Sequence, residues 1–208
     1  MTDMWKMALD VENENVGWEL YTKLAQRTSS NKHKMDKLQN GIIGLCGESG
    51  ECIDLYKKHK FQGHDLDKDK LKDELSDILW YTAELSVGLD KTLDAVVRRG
   101  DFEDFEDIAR TINKREYMRE ADKLIYKGLL EINVYSGDMA EYLVYYLDGE
   151  ELYTELMEHR LFLLLLAVDK VAYAIGTNLK DVAEYNIGKL YKRYPEGFSA
   201  DRSINREV

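Results

Sequence analysis

Proline is almost missing from this chain, with one in 208 residues. Long helices therefore run unopposed by the residue that most often breaks them. Cysteine is nearly as scarce. Cys46 and Cys52 lie six apart within one predicted helix, on different rows. That excludes a disulfide framework and makes both small core residues in a reducing compartment. An excess of positive charge is missing too: 29 Lys and Arg face 40 Asp and Glu, a net charge of −11. A binder of nucleic-acid backbones needs a basic face, so nucleic acid is excluded as a partner. Long apolar runs are also lacking. "LFLLLLAV", Leu161 to Val168, is bounded by Arg160 and Asp169 and is too short to span a bilayer. The start, "MTDMWKMALDVENEN", has neither the basic opening nor the apolar block of a signal peptide. These absences lead to the expectation of a cytoplasmic protein with no membrane partner.

What the chain does have is helical periodicity, and the expected fold class is all-α. Leu71, Leu75, Ile78, Leu79, Thr82 and Leu85 share one arc of a helical wheel. Glu74, Asp77 and Tyr81 lie together at the edge of that arc. In the preceding helix Leu45, Ser49, Cys52, Ile53 and Tyr56 form the apolar face, with Glu48 and Glu51 beside it. Each acidic pair is spaced three apart and so occupies one face of its helix. A polar, lysine-rich bridge that includes His59 and His64 separates the two pairs. Packed side by side, the two helices would aim all four carboxylates at a common point.

Four acids beside apolar residues repel one another and push up their own pKa values. A hard divalent cation resolves that conflict, and Mg²⁺ favours such oxygen ligands, with Mn²⁺ as a substitute. Two cations would bracket a phosphoryl group and activate water for in-line attack. The rival reading is four solvated surface acids, common on the helices of an acidic chain. A di-iron carboxylate bundle is a third. It calls for Glu-x-x-His pairs, and neither pair here carries that histidine.

The pattern begins again after the acidic segment "GDFEDFED", Gly100 to Asp107. "YTKLA" at Tyr21 matches "YMREA" at Tyr117, "SGE" at Ser49 matches "SGD" at Ser136, and "LDAV" at Leu93 matches "LKDV" at Leu179. The last two offsets are 87 and 86 residues. Shared order among the matches points to a degenerate internal duplication. In those registers Glu48 faces Tyr135, Glu51 faces Asp138, Glu74 faces Arg160 and Asp77 faces Leu163. The later half would keep the fold and lose the metal site.

"GLCGESGECIDLYKK", followed by "LKDELSDILWYTAELSVGLDKTLDAV", resembles the MazG-like all-α nucleoside triphosphate pyrophosphohydrolases. So do "YTKLAQRT" near the start and "VAEYNIGKLYKRYPEGFSADRSINRE" at the end. Two departures stand out. The longer family motif has an acid where this chain has Gly47, and a second repeat separates the tail from the acidic helices. The resemblance implies a MazG-like helical bundle with a catalytic repeat over 1–100, an acidic linker over 101–113 and a degenerate repeat over 114–208. It implies Mg²⁺ held by Glu48, Glu51, Glu74 and Asp77, with Glu48 and Glu51 catalytic and Glu48 orienting the water. Water would attack the α-phosphorus of a nucleoside triphosphate, a deoxynucleotide in pool cleansing, and release pyrophosphate. Alternatives are an all-α dUTPase-type hydrolase and a non-catalytic helical nucleotide-binding or scaffold protein. The two repeats would pack as a monomeric pseudo-dimer, or the chain would form a homodimer. The closeness to phage and bacterial members fits a phage source.

Around the metals, Lys58 rather than Lys57 is the candidate for the β- and γ-phosphates. Tyr81 is either a core residue or a platform for the base or sugar, while Trp80 points elsewhere and packs. Lys189 and Arg193, four apart in "NIGKLYKRYP", are a candidate triphosphate clamp, with Asn186 one turn earlier. "INKRE", Ile112 to Glu116, would be a remnant of that element after the first copy.

Overall fold

A computed structural model describes residues 17–97 and 121–204. The acidic linker, the Tyr117 anchor of the repeat and Ile112 to Glu116 lie outside the described residues. Eight helices are present among the described residues, and no strand. They are α1 (Gly17–Gln26), α2 (Lys34–Gln62), α3 (Lys68–Gly88), α4 (Leu93–Val97), α5 (Ala121–Leu147), α6 (Thr154–Ile175), α7 (Leu179–Arg193) and α8 (Ala200–Ile204). The all-α expectation holds. No single helix among the described residues is long and apolar enough to cross a membrane.

Two long hairpins make the body. α2 packs along α3 and α5 along α6, and the hairpins meet chiefly through α2 and α5. α7 then crosses from the second hairpin to lie against α3 of the first. The periodic residues do what their spacing demands. Leu71, Leu75, Ile78, Leu79 and Leu85 are fully buried, as are Leu129, Ile132, Leu161, Leu164 and Leu165 in the later half.

The bridge between the acidic pairs is mostly helix. Nothing between Glu51 and Gln62 breaks a helix, so α2 continues through Lys57, Lys58 and His59. It ends where Gly63 takes a left-handed φ of 77° and its N–H bonds to the Lys58 carbonyl. Asp67 restarts the chain by accepting the N–H of Lys70 at 2.9 Å, a helix N-cap. His59 Nδ1 lies 2.8 Å from the carbonyl of His64, so these histidines serve the turn.

Local features recur at the offsets seen in the sequence. Gly41 lies so close to α3 that a Cβ there would come 2.7 Å from Leu85 Cβ, and Gly128, 87 residues on, meets Val171 on α6 in the same way. The turns agree as well. Thr92 Oγ1 accepts the N–H of Ala95 at 3.0 Å, and Asn178 Oδ1 accepts the N–H of Asp181 at 2.9 Å, 86 residues later. Asp67 and Tyr153 are both N-caps. The two left-handed residues just before the caps of α4 and α7, Asp90 and Gly176, again differ by 86. The offset shortens by one residue across the hairpin turn, where register costs nothing in the core.

Cysteine follows the expectation only in part. Both thiols are free, and Cys52 is in the core, but Cys46 is exposed. Its row of α2 runs beside α5, where its Sγ lies 3.7 Å from the Ser136 carbonyl.

Candidate metal centre

Side chains reach a common point here because α2 and α3 approach closely. Gly44 leaves room for the Tyr81 ring to lie directly on the α2 backbone; a Cβ at residue 44 would overlap it. Glu48 follows Gly44 by one turn, and Asp77 precedes Tyr81 by one turn, so the contact brings the acids face to face. One carboxylate oxygen each from Glu48, Glu74 and Asp77 can be chosen so that all lie within 4.8 Å of one another. Glu74 is buried, and Glu48 and Asp77 are half-buried.

Charge is costly at this point. Burial first, then Asp77, Glu51 and Glu74, raise the Glu48 carboxyl to about 7. Burial, then Glu51 and Asp73, push Glu74 up. Burial raises Asp77 as well, against the pull of Lys189. Three hard oxygen donors that resist ionising next to one another suit a divalent cation. The residues present therefore fit a metal ion.

Glu51 is not part of the three-carboxylate group. It is exposed on α2 one turn beyond Glu48, near enough for its charge to raise both Glu48 and Glu74. Lys58 is not brought to the cluster in this structure, because its ammonium pairs with Asp54 at 2.7 Å, and Lys57 pairs with the same carboxylate. Asn186 is fully buried. Its Oδ1 accepts the Tyr21 hydroxyl at 3.0 Å and its amide reaches Ser76 Oγ at 3.5 Å, which holds α7 against α1 and α3. Trp80 packs as expected, its Nε1 donating to Thr28 Oγ1 at 2.9 Å. Tyr81 stands edge-on to Trp80, with ring centroids 4.9 Å apart, and remains partly exposed.

The tail does reach the acids despite the intervening hairpin. Lys189 Nζ lies 2.6 Å from Asp73 and 2.7 Å from Asp77. Burial works against its charge, but Asp77 and Asp73 outweigh that and its pKa rises. One turn on, Arg193 has a buried Nη2 with no hydrogen-bond partner, and its charge helps lower the Asp77 carboxyl. Arg27 locks the tail in place by donating to the carbonyls of Pro195 at 2.9 Å and Tyr194 at 3.0 Å.

The second hairpin fills the corresponding place differently. Arg160 Nε bonds Asp138 Oδ2 at 2.6 Å, joining the residues that stand opposite Glu74 and Glu51 in the repeat registers.

Two residues escaped the sequence reading. Asp73, four before Asp77, is the second anchor of Lys189; its signal was that i, i+4 spacing. Glu84 is fully buried, and its carboxylate accepts from Gln26 at 2.8 Å, Ser29 at 2.9 Å, Asn31 at 2.9 Å and Lys37 at 3.4 Å. Its signal was seven-residue spacing from Asp77 along one row of α3.

A raised carboxyl has a measurable consequence. Folded protein holds the Glu48 proton up to about pH 7, whereas the unfolded chain releases it near 4.5. The folded state thus binds more protons in that window, and stability falls as pH rises through it. Melting curves from pH 4.5 to 8 without divalent ions are expected to decline for the wild type and less so for Glu48→Gln. The difference is of order 1 kcal/mol once solvent screening is allowed for.

The fold and its cluster define an all-helical protein with a candidate acidic metal site. No family model, no curated protein and no solved structure matches the chain.

Proposed function

We propose that this chain is a metal-dependent nucleoside triphosphate pyrophosphohydrolase of the MazG-like kind, with Mg²⁺ as its natural ion and Mn²⁺ as a substitute. The observation that carries the reading is the convergence of Glu48, Glu74 and Asp77 beneath a cationic tail. Those three would hold the ion, with Glu51 added from the open side. A divalent cation held there would supply Lewis-acid polarisation of a phosphoryl oxygen and activation of water. Glu48, lining the cluster from α2, orients the attacking water toward the α-phosphorus. Lys189 and Arg193 meet the polyphosphate, one as a point charge and the other as a fork of donors. Tyr81, partly exposed beside the acids, supports the sugar or base.

The two hairpins are read as diverged copies of one unit, giving a pseudo-dimer within a single chain. Their recurring caps and close helix contacts support this. A partner's helix is then unnecessary at the cluster, since α7 of the second copy supplies Lys189. The matched charges of Arg160 and Asp138 would leave the second copy without an ion.

The test is a panel of canonical and modified ribo- and deoxynucleoside triphosphates with Mg²⁺ or Mn²⁺. Products should be a monophosphate and pyrophosphate, with release falling about a hundredfold or more in Glu48→Gln, in line with loss of a positioned base. Glu51→Gln should also lower the rate. Orthophosphate instead of pyrophosphate would overturn the reaction class. Nucleotide and metal binding without any product would make the protein a sensor instead.

A further inference from the structure

We infer that Lys189 is a resident cation of the carboxylate cluster, which a divalent ion must displace from Asp77, and that Asp73 is the anchor that keeps the displaced ammonium at the rim. The inference rests on the metal-site reading above and adds to it an exchange between two cations. Lys189 bonds Asp73 and Asp77 at nearly equal distances, 2.6 and 2.7 Å. Only Asp77 of that pair belongs to the group whose oxygens converge. Asp73 sits one turn earlier on α3, outside the group, and so is not taken when the group closes on an ion.

The surroundings favour an ammonium that trades partners over one buried for good. Its side chain is 23% exposed, and Asp73 and Asp77 are 36% and 30% exposed, so the triad lies at the mouth of the site. The structure around it is fixed. Asn186, three residues earlier on α7, is fully buried and tied to Tyr21 and Ser76, so the helix carrying Lys189 does not need to move. Four flexible methylenes suffice for the exchange. Lys170, by contrast, is buried and pairs with Glu131 at 2.7 Å, away from the three converging acids.

Exchange of this kind links two functions of one side chain. Without metal, Lys189 offsets part of the repulsion that three adjacent acids create. Once displaced, it stands on Asp73 one turn from Arg193, whose charge also acts on Asp77. By linkage, whatever factor the lysine takes from metal affinity, the metal takes from the Lys189–Asp77 pair.

Lysine acylation followed by peptide mass spectrometry reads the exchange in the wild-type protein, with the exposed Lys57 as internal reference. Saturating Mn²⁺ without nucleotide is expected to speed acylation of Lys189 roughly five- to tenfold, the low end of typical coupling between sites. Mn²⁺ affinity, followed by the loss of the free-ion electron paramagnetic resonance signal, should rise by a similar factor in Lys189→Met. Asp73→Asn should raise Lys189 acylation further in the Mn²⁺-bound state. If Mn²⁺ binds while Lys189 acylation is unchanged, the inference is overturned and the metal site stands. If neither wild type nor Lys189→Met binds Mn²⁺, the metal reading falls with it.

Discussion

Glu74→Gln is expected to make the metal-free protein more stable at pH 8 and to abolish its response to Mg²⁺. Glu74 is buried, and both burial and the charges of Glu51, Asp73 and Asp77 oppose its ionisation. A neutral amide of the same shape removes that repulsion. The gain is about 1 kcal/mol, or a few degrees in melting temperature. The same change takes one of three converging oxygen donors away from the ion. Outer partners of a metal ligand typically cost 10–100-fold in affinity or activity when lost, so loss of a ligand itself should cost about a hundredfold or more. Wild type and variant should therefore cross. The variant melts higher in EDTA, and the wild type melts higher in millimolar Mg²⁺. The crossing separates a metal centre from a cluster of surface acids, because solvated acids would give a small shift in the first condition and none in the second. Pyrophosphate release, measured alongside, should fall with the Mg²⁺ response.

Much of this site was legible because helices convert spacing into position. Glu74 and Asp77 had to share a face, and the apolar arc beside them fixed which face would be buried. Glu48 followed from the same logic on α2. What spacing leaves open is the reach of each side chain across the gap. Glu48 and Glu51 look alike in the sequence, yet one enters the group and the other is exposed. Periodicity also could not bring Lys189 to Asp73 and Asp77, which are more than a hundred residues away. That contact depends on how the second hairpin docks. For the same reason Asn186 reads as a polar residue near a basic clamp, and only packing turns it into a buried tie between three helices. Local turn chemistry was legible in both halves, since the Thr92 and Asn178 caps need only neighbouring residues.

Glu84→Ala is expected to be the most damaging single change to the fold. The carboxylate is wholly buried on α3, and four of its donors come from a stretch between Gln26 and Lys37 that joins α1 to α2. Lys37 supplies the balancing charge, with its side chain only 12% exposed. Truncation would leave that ammonium with only the neutral acceptors Gln26 Oε1 and Ser29 Oγ and would take the carboxylate from the neutral donors around it, and a buried pair broken from one side costs about 3–5 kcal/mol. A domain stable by 5–15 kcal/mol would be left marginal. Urea unfolding should show a midpoint shifted far down in Glu84→Ala. In Glu84→Gln, which keeps an acceptor oxygen for the neutral donors, the shift should be smaller. Lys37→Met paired with Glu84→Gln should recover part of the loss, since the unbalanced charge is then gone. A double variant as unstable as the sum of its parts would mean that Lys37 and Glu84 act independently. The network would then be a set of separate hydrogen bonds with no charged pair at its centre. Because Glu84 lies two turns beyond Asp77 on the same row of α3, the damage should reach the cluster as well. The α1–α2 connection would loosen, and the contact of Tyr81 with Gly44 that sets the helix separation beside Glu48 would loosen with it.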